Sequence, residues 1–281
     1  MLFSTIRIEA SGSEGNSVGT GFVFAYESEA IGEGPVHFIV TNRHVIRDAS
    51  DGMFVLIERD GNRNPLLGHG IGIPILQFED HWHAHPDPDV DVAATYLQHL
   101  MNHLSVPGEP PVHARTYVRT IGKTHIATPE QVSDLDAVEE VMFIGYPDNL
   151  YDPVNLTPIV RRGSTATPLQ LDYGGEFAFF IDASVFPGSS GSPVLIANFA
   201  TYMNRRTGEV FAGGSRTMFL GILSSGFFIE ENGRVERRPI PTAKEQLVVK
   251  TEQIIDLGLV YKASTITETI ADFLAKSGVP Y

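Results

Sequence analysis

The chain has no cysteine. A disulfide framework and a thiolate nucleophile are both excluded on that ground. Secreted proteins often carry disulfides, so the absence leans towards a reducing, cytoplasmic setting. Basic residues are scarce too: 20 Lys and Arg stand against 34 Asp and Glu, for a formal net charge of −14. Such a surface repels nucleic acid and anionic membranes, and neither is an expected partner. Arg205–Arg206 and Arg237–Arg238 are isolated pairs, not a run that tracks phosphates. No apolar stretch approaches the roughly 20 residues that span a bilayer. MLFSTIRIEASGSEGN lacks a basic segment followed by an apolar one, so no secretory leader is expected.

What is present is a globular composition. The 281 residues are 42% hydrophobic and 19% charged, which is enough for one large domain or two modest ones with their own cores. The 27 glycines and 18 prolines are spread along the chain and punctuate many short elements. Apolar or alternating runs at 2–9, 18–26, 37–41, 53–59, 73–79 and 91–97 predict strands without a long helical period. VPGEPPVH (106–113) is Pro-rich and fits a linker. The β pattern resumes at 141–147, 158–167, 176–183, 192–197 and 217–226, with a polar hairpin or loop at 198–216. Near the end the period changes. Ile266, Ile270, Phe273 and Leu274 share one helical face, Thr265 and Glu268 have capping-box spacing, and Lys276, Gly278 and Pro280 supply stop signals. The expected organisation is an N-terminal β unit over 1–105, a linker over 106–138, a C-terminal β unit over 139–262 and a helix over 263–281.

Three segments carry chemistry: TNRHV (41–45), DVA (91–93) and PGSSGSPV (187–194). A serine hydroxyl needs an adjacent base and backbone N–H donors aimed at the developing oxyanion. In G-x-S-G-x-P, Gly188 lets its own N–H and that of Ser190 point into one cavity, while Gly191 leaves room beside the hydroxyl. Alone, GSSGS is equally a Gly/Ser-rich turn, and a lone His44 is more often a packed or surface residue. The order His44, Asp91, Ser190 is what distinguishes them, because it matches one of the known nucleophile–base–carboxylate orders. Asp89 competes with Asp91, since a period of two puts both on one strand face.

Together these segments resemble the trypsin-like peptidases of the bacterial kind, in the style of the HtrA/Deg protease domain. TNRHV is similar to that family's T-N-x-H-V, DVDVA to its D-[LV]-A, and FIDASVFPGSSGSPVL to its D-A-x-x-x-P-G-x-S-G-x-P-x-L. GYP (145–147) and FLGILSSG (219–226) match further landmarks. The resemblance implies an all-β fold of two chymotrypsin-like six-stranded β-barrels with the active site between them, here followed by a C-terminal α-helix. It implies a serine endopeptidase acting on a protein or peptide, with no cofactor and no metal. Ser190 would be the nucleophile, His44 the general base and Asp91 its orienting carboxylate. Gly188 and Ser190, with Ser189, would form the oxyanion hole. Ser184 would floor the primary specificity pocket, and Ser224, Ser225 and Gly226 would pair with the substrate backbone. A regulatory protein partner is compatible with the resemblance. Two features depart from it. No PDZ-like region follows the Ser224 strand, and Ser189 stands where digestive members carry the aspartate of their zymogen switch.

Two other readings compete. His81, His83, His85, Asp87, Asp89 and Asp91 recur at every second position, so a regular strand would turn all six to one side, where they could hold a divalent metal. Pro86 and Pro88 weigh against regular pairing there. The other is a catalytically silent binding module, against which the complete His–Asp–Ser set argues.

Overall fold

The computed structural model describes residues 1–13, 15–27, 34–103, 110–204, 206–236 and 246–277. Arg205, Arg237, Arg238, Gly278, Pro280 and residues 106–109 of the expected linker lie outside the described residues.

The first half is a sheet built from hairpins. β1 (Thr5–Gly12) and β2 (Gly15–Tyr26) pair antiparallel, and β3 (Val36–Thr41) adds to β2. One helical turn, α1 (Arg43–Ile46), leads to β4 (Ala49–Arg59) and β5 (Pro65–Leu76), with β4 lying on β1. β6 (His83–Ala84) and β7 (Ala93–Tyr96) form the other side, on β3. The alternating apolar residues of these strands converge on one core that includes Ile6, Ile8, Ile39, Phe54 and Phe78. Truncating a buried phenylalanine of this kind costs about 3–5 kcal/mol.

α2 (Leu97–His103), α3 (Val112–Arg115), β8 (Ile121–Gly122) and α4 (Pro129–Ser133) follow. The stretch expected to be a linker therefore carries structure of its own. β8 pairs parallel with β2, and Ile121 is fully buried. α4 begins with a capping box, in which the Thr128 hydroxyl accepts from Gln131 N–H and the Gln131 side chain accepts from Thr128 N–H.

The second half comprises β9 (Glu140–Gly145), β10 (Ile159–Thr165), β11 (Ala178–Asp182), β12 (Pro193–Asn198), the hairpin β13 (Thr201–Met203) and β14 (Val210–Ala212), β15 (Arg216–Glu236) and β16 (Gln246–Lys262). Six of these strands close into a barrel in the order β10-β11-β16-β15-β12-β9. β15 extends ten residues past the expected 217–226 run, and β16 was not anticipated at all.

Among the described residues, closure is seen in this second unit. The first unit is an eight-stranded sheet in the order β5-β4-β1-β2-β3-β7-β6, with β8 on β2, and its closure into a barrel is not seen among the described residues. β6 spans two residues and is followed closely by Pro86 and Pro88, which have no N–H to extend a ladder towards β5.

The closing helix, α5 (Ala263–Ser277), runs directly out of β16. It begins two residues before the expected Thr265 cap. Thr265 is consequently a buried helical residue whose hydroxyl donates to the Lys262 carbonyl. Ile266, Ile270 and Leu274 pack with Phe22, Phe38 and Phe219, so α5 seals a core shared by both halves. No helix among the described residues is long and apolar enough to cross a membrane.

Candidate active site

β3 delivers His44. Its last residue, Thr41, is followed by Asn42 at the N-cap of α1, and the helical turn presents His44 at its start. Asn42 is fully buried and its Nδ2 donates to the Asp91 carbonyl at 2.7 Å, which fastens this turn to the segment entering β7. The Asp91 carboxylate then receives three donors. His44 N–H reaches Oδ1 at 2.9 Å, His44 Nδ1 lies 2.6 Å from Oδ2, and the Ser224 hydroxyl donates to Oδ2 at 2.7 Å. Burial pushes this carboxyl up. The bond to the His44 ring, the imidazole charge, Ser224 and the His44 N–H together outweigh it and hold the pKa below the usual aspartate value. A carboxylate on Nδ1 fixes the tautomer that leaves the Nε2 lone pair free to accept a proton.

Asp89 sits elsewhere. Its N–H donates to Asp87 Oδ1 and its carbonyl accepts from the Tyr261 hydroxyl at 3.0 Å, while Asp91 alone of the two meets His44.

Ser190 rides on a turn between two glycines of positive φ, Gly188 at 83° and Gly191 at 89°. A Cβ on Gly188 would collide with the Tyr146 carbonyl, and one on Gly191 with the Thr20 carbonyl, so both positions require glycine for space as well as conformation. Thr20 is the fastener. Its N–H donates to Ser190 C=O at 2.8 Å, its hydroxyl donates to Gly188 C=O at 2.8 Å, and that hydroxyl accepts from Tyr146 N–H at 3.1 Å. Thr41 Oγ1 in turn donates to Thr20 C=O at 2.7 Å. One fully buried residue of β2 therefore ties the strand ahead of His44 to the turn that carries Ser190.

The N–H groups of Gly188 and Ser190 meet no acceptor among the described residues. Ser189 differs: its N–H donates to Phe186 C=O at 3.0 Å, which removes it from the expected set of oxyanion donors. The side chain of Ser190 also differs from expectation. Its Oγ donates to the Ser224 carbonyl at 2.8 Å and not to His44. Ser224 thus touches both partners, with its hydroxyl on Asp91 and its carbonyl under Ser190. It can do so because the β15 register shifts between Leu223 and Ser225, a bulge that re-aims the intervening residue.

Ser184 is half-buried on the approach to the turn, and Ser225 and Gly226 lie on β15 just past Ser224. A Cβ on Gly226 would press on Val185, so the Ser184–Val185 segment faces the 224–226 strand directly. Arg161 braces this segment from β10. It donates to the Ser184 carbonyl, and its guanidinium lies between the Phe143 and Phe186 rings at 5.1 and 5.0 Å from their centroids. Thr20, Arg161 and the contact between Ser224 and Asp91 were not foreseen from the sequence. Their partners lie 168, 23 and 133 residues away, and no local pattern signals them.

The competing His/Asp metal face, against which Pro86 and Pro88 weighed, does not form among the described residues. His81 closes a short 3-10 turn, with Nε2 3.2 Å from the Leu76 carbonyl. His83 Nε2 lies 2.6 Å from Asp272, and His85 Nε2 3.4 Å from Glu268, both on α5. Asp87 and Asp89 lie in the turn beyond. Among the described residues no group of three His or carboxylate side chains could hold a metal ion. The pair of histidines fastens the C-terminal helix instead.

A β-barrel and a β-sheet that meet at a serine turn and a His–Asp pair define a serine hydrolase of chymotrypsin-like architecture. The chain belongs to the family of trypsin-like peptidase domains, whose model matches residues 19–199. Among solved structures it is similar to the thermostable serine protease AL20 from an extremophilic microorganism, with 14% identity and a TM-score of 0.51 over 98% of both chains. It is also similar to the protease Anisep from Arthrobacter nicotinovorans, with 13% identity and a TM-score of 0.50 over 98% of this chain and 97% of that one. The HtrA-type protease AlgW, solved with a tripeptide, shares 13% identity at a TM-score of 0.48, and this chain spans 62% of its length. No curated protein matches the sequence.

Proposed function

We propose that the chain is a serine endopeptidase that cleaves proteins or peptides through an acyl-enzyme, with Ser190 as nucleophile, His44 as general base and Asp91 as its orienting carboxylate. The observation that carries this reading is the Asp91 carboxylate, which accepts from both the ring and the main chain of His44 and sits one residue, Ser224, away from the Ser190 hydroxyl.

The reaction begins with a rotamer change. Rotation about the Ser190 Cα–Cβ bond, between staggered wells, carries Oγ from the Ser224 carbonyl towards His44 Nε2. Such bonds are often unformed before substrate binds. Nε2 takes the hydroxyl proton as Oγ attacks the scissile carbonyl carbon. Asp91 stabilises the resulting imidazolium, which then protonates the leaving amine. The N–H groups of Gly188 and Ser190 are the free donors at the turn and receive the oxyanion, each supplying about 3–4 kcal/mol to the transition state. Water activated by His44 releases the acid. The substrate lies as an added strand along Ser224–Gly226, with its side chain before the scissile bond directed to the Ser184–Val185 segment. The cysteine-free composition fits action in a reducing compartment.

The test is peptide-bond cleavage of an unfolded protein such as casein, followed by mass spectrometry of the products. Internal cleavage that disappears in Ser190→Ala and survives chelator treatment is the expected result. Cleavage that persists in Ser190→Ala, or no cleavage together with peptide binding, would replace the reading with another nucleophile or with a silent binding module.

A further inference from the structure

β9 ends at Gly145, and the chain turns through Tyr146–Leu150 on its way to β10. Two successive residues of that turn, Asp148 and Asn149, have φ of 48° and 59°. Asp and Asn enter this left-handed region more readily than other side chains, but as single residues and at a cost. Such a pair persists where its surroundings hold it in place. Two backbone bonds close the turn, Asn149 N–H to Tyr146 C=O at 3.2 Å and Leu150 N–H to Pro147 C=O at 2.7 Å. A further hold comes from the N-terminal sheet. Arg7 on β1 donates to the Asn149 side-chain oxygen through Nε at 2.8 Å and Nη2 at 2.5 Å. Arg7 is itself fixed, with Nη1 on the Glu9 carboxylate and its guanidinium 4.9 Å from the centre of the Tyr151 ring.

The same turn reaches the segment that carries the nucleophile. Asp148 N–H donates to the Pro187 carbonyl at 2.5 Å. That carbonyl and the Gly188 N–H belong to one planar trans peptide unit, so they point in opposite directions. A donor fixed on the carbonyl therefore turns the N–H the other way, and Gly188 N–H meets no acceptor among the described residues. Thr20 holds the next peptide plane through the Gly188 carbonyl. Both planes that flank the Gly188 α-carbon are thus pinned, one from β2 and one from the left-handed turn.

We infer that Arg7 and Asn149 are positioning residues for the oxyanion donor Gly188 N–H. Arg7 holds the Asn149 side chain, Asn149 holds the left-handed turn, and the Asp148 N–H of that turn sets the Pro187–Gly188 peptide plane. Neither residue touches substrate. The first unit, which supplies His44 and Asp91, thereby also sets a donor that belongs to the second. The inference rests on the peptidase reading for what Gly188 N–H receives, whereas the clamp itself is a matter of conformation.

Amide hydrogen exchange of the full chain, resolved at Asp148, reads the clamp, and steady-state peptide kinetics read the donor. Arg7→Gln removes the fork. Asn149→Gly removes the acceptor, while glycine takes the same φ freely, so the turn can still form. In each variant Asp148 exchange should quicken at least about tenfold, with the amides of β15 unchanged. kcat should fall by about 10–100-fold with little change in KM, short of the 10²–10³-fold that follows outright loss of a donor. The double variant should be no worse than either single one, since both break one link. Asn149→Asp, which keeps the acceptor and tolerates the left-handed φ, should restore most of the rate lost in Asn149→Gly. Unchanged Asp148 exchange in both variants overturns the inference, whether or not the chain cleaves peptides. So does faster exchange at an unaltered kcat, or losses that add in the double variant. A wild-type chain that cleaves nothing fails the peptidase reading, and the exchange result alone then decides the clamp.

Discussion

Thr20→Val isolates the contact on which the nucleophile turn depends. The substitution keeps the shape of a fully buried side chain and deletes its hydroxyl. Two groups then lose their partner: the Gly188 carbonyl, 2.8 Å from the hydroxyl, and the Tyr146 N–H, 3.1 Å from it. Gly188 and Tyr146 are themselves buried, so water does not replace the lost bonds. An unsatisfied buried polar group costs about 1–3 kcal/mol, so the loss of stability for the two should total roughly 2–6 kcal/mol. The catalytic effect has a separate origin. Gly188 supplies a proposed oxyanion N–H, and its peptide planes are oriented in part by that hydroxyl. Misplacing one such donor lowers the rate by about 10²–10³-fold. Thr20→Ser is the control, because it keeps the hydroxyl and loses only a methyl group. Denaturant unfolding reports the first effect, and kcat measured with KM on a peptide reports the second. Expected is a destabilised Thr20→Val with a large loss in kcat and little change in KM, beside a nearly normal Thr20→Ser. If Thr20→Val matches the wild type in both measurements, or if Thr20→Ser is impaired as severely, the hydroxyl does not hold the turn.

Three other outcomes are expected. Asp91→Asn should lower kcat by about 10⁴-fold through the wrong imidazole tautomer, whereas Asp89→Asn, whose side chain does not meet His44, should leave kcat near that of the wild type; steady-state assays of both variants decide it. Ser224→Ala removes one of three donors to the Asp91 carboxylate, and the loss of a bond to a charged group should lower kcat roughly 10–100-fold without unfolding the chain, as read by kinetics and circular dichroism. Because the Asp91 carboxyl is depressed in the folded state, it adds stability that is fully present above the unfolded aspartate value of about 3.9. That stability is lost as pH falls through the folded value. Urea midpoints measured down through this acid range should fall more steeply for the wild type than for Asp91→Asn.

The motifs legible in the sequence are those whose chemistry is local. Gly188 and Gly191 need positive φ and close backbone approach, and that need is written into GSSGS itself. TNRHV likewise encodes a strand ending, a cap and a helical turn within five residues. Asp89 and Asp91 could not be separated by spacing, because both lie in the irregular segment between β6 and β7 and only the fold decides which of them meets the imidazole. Thr20 was invisible for a related reason: it looks like any β2 residue until chain more than a hundred residues away packs on it. The His/Asp alternation across 81–91 is not a strand face, since a 3-10 turn ends at His81 and β6 spans two residues before the prolines that weighed against that reading. Closure of the first unit, which the resemblance to a two-barrel fold implies, is not seen at the same place among the described residues. β16 escaped notice because the polar stretch Lys250–Gln253 interrupts its apolar residues ahead of the run that completes the barrel.

The central claim is that the Ser190 hydroxyl is the activated nucleophile of this chain. Treatment of the purified protein with a fluorophosphonate, followed by peptide mapping of the adduct, tests it most directly. The account predicts a single covalent phosphonyl adduct on Ser190, abolished by Ser190→Ala and strongly slowed in His44→Ala. An adduct on another serine, or labelling of Ser190 at the same rate without His44, would contradict it.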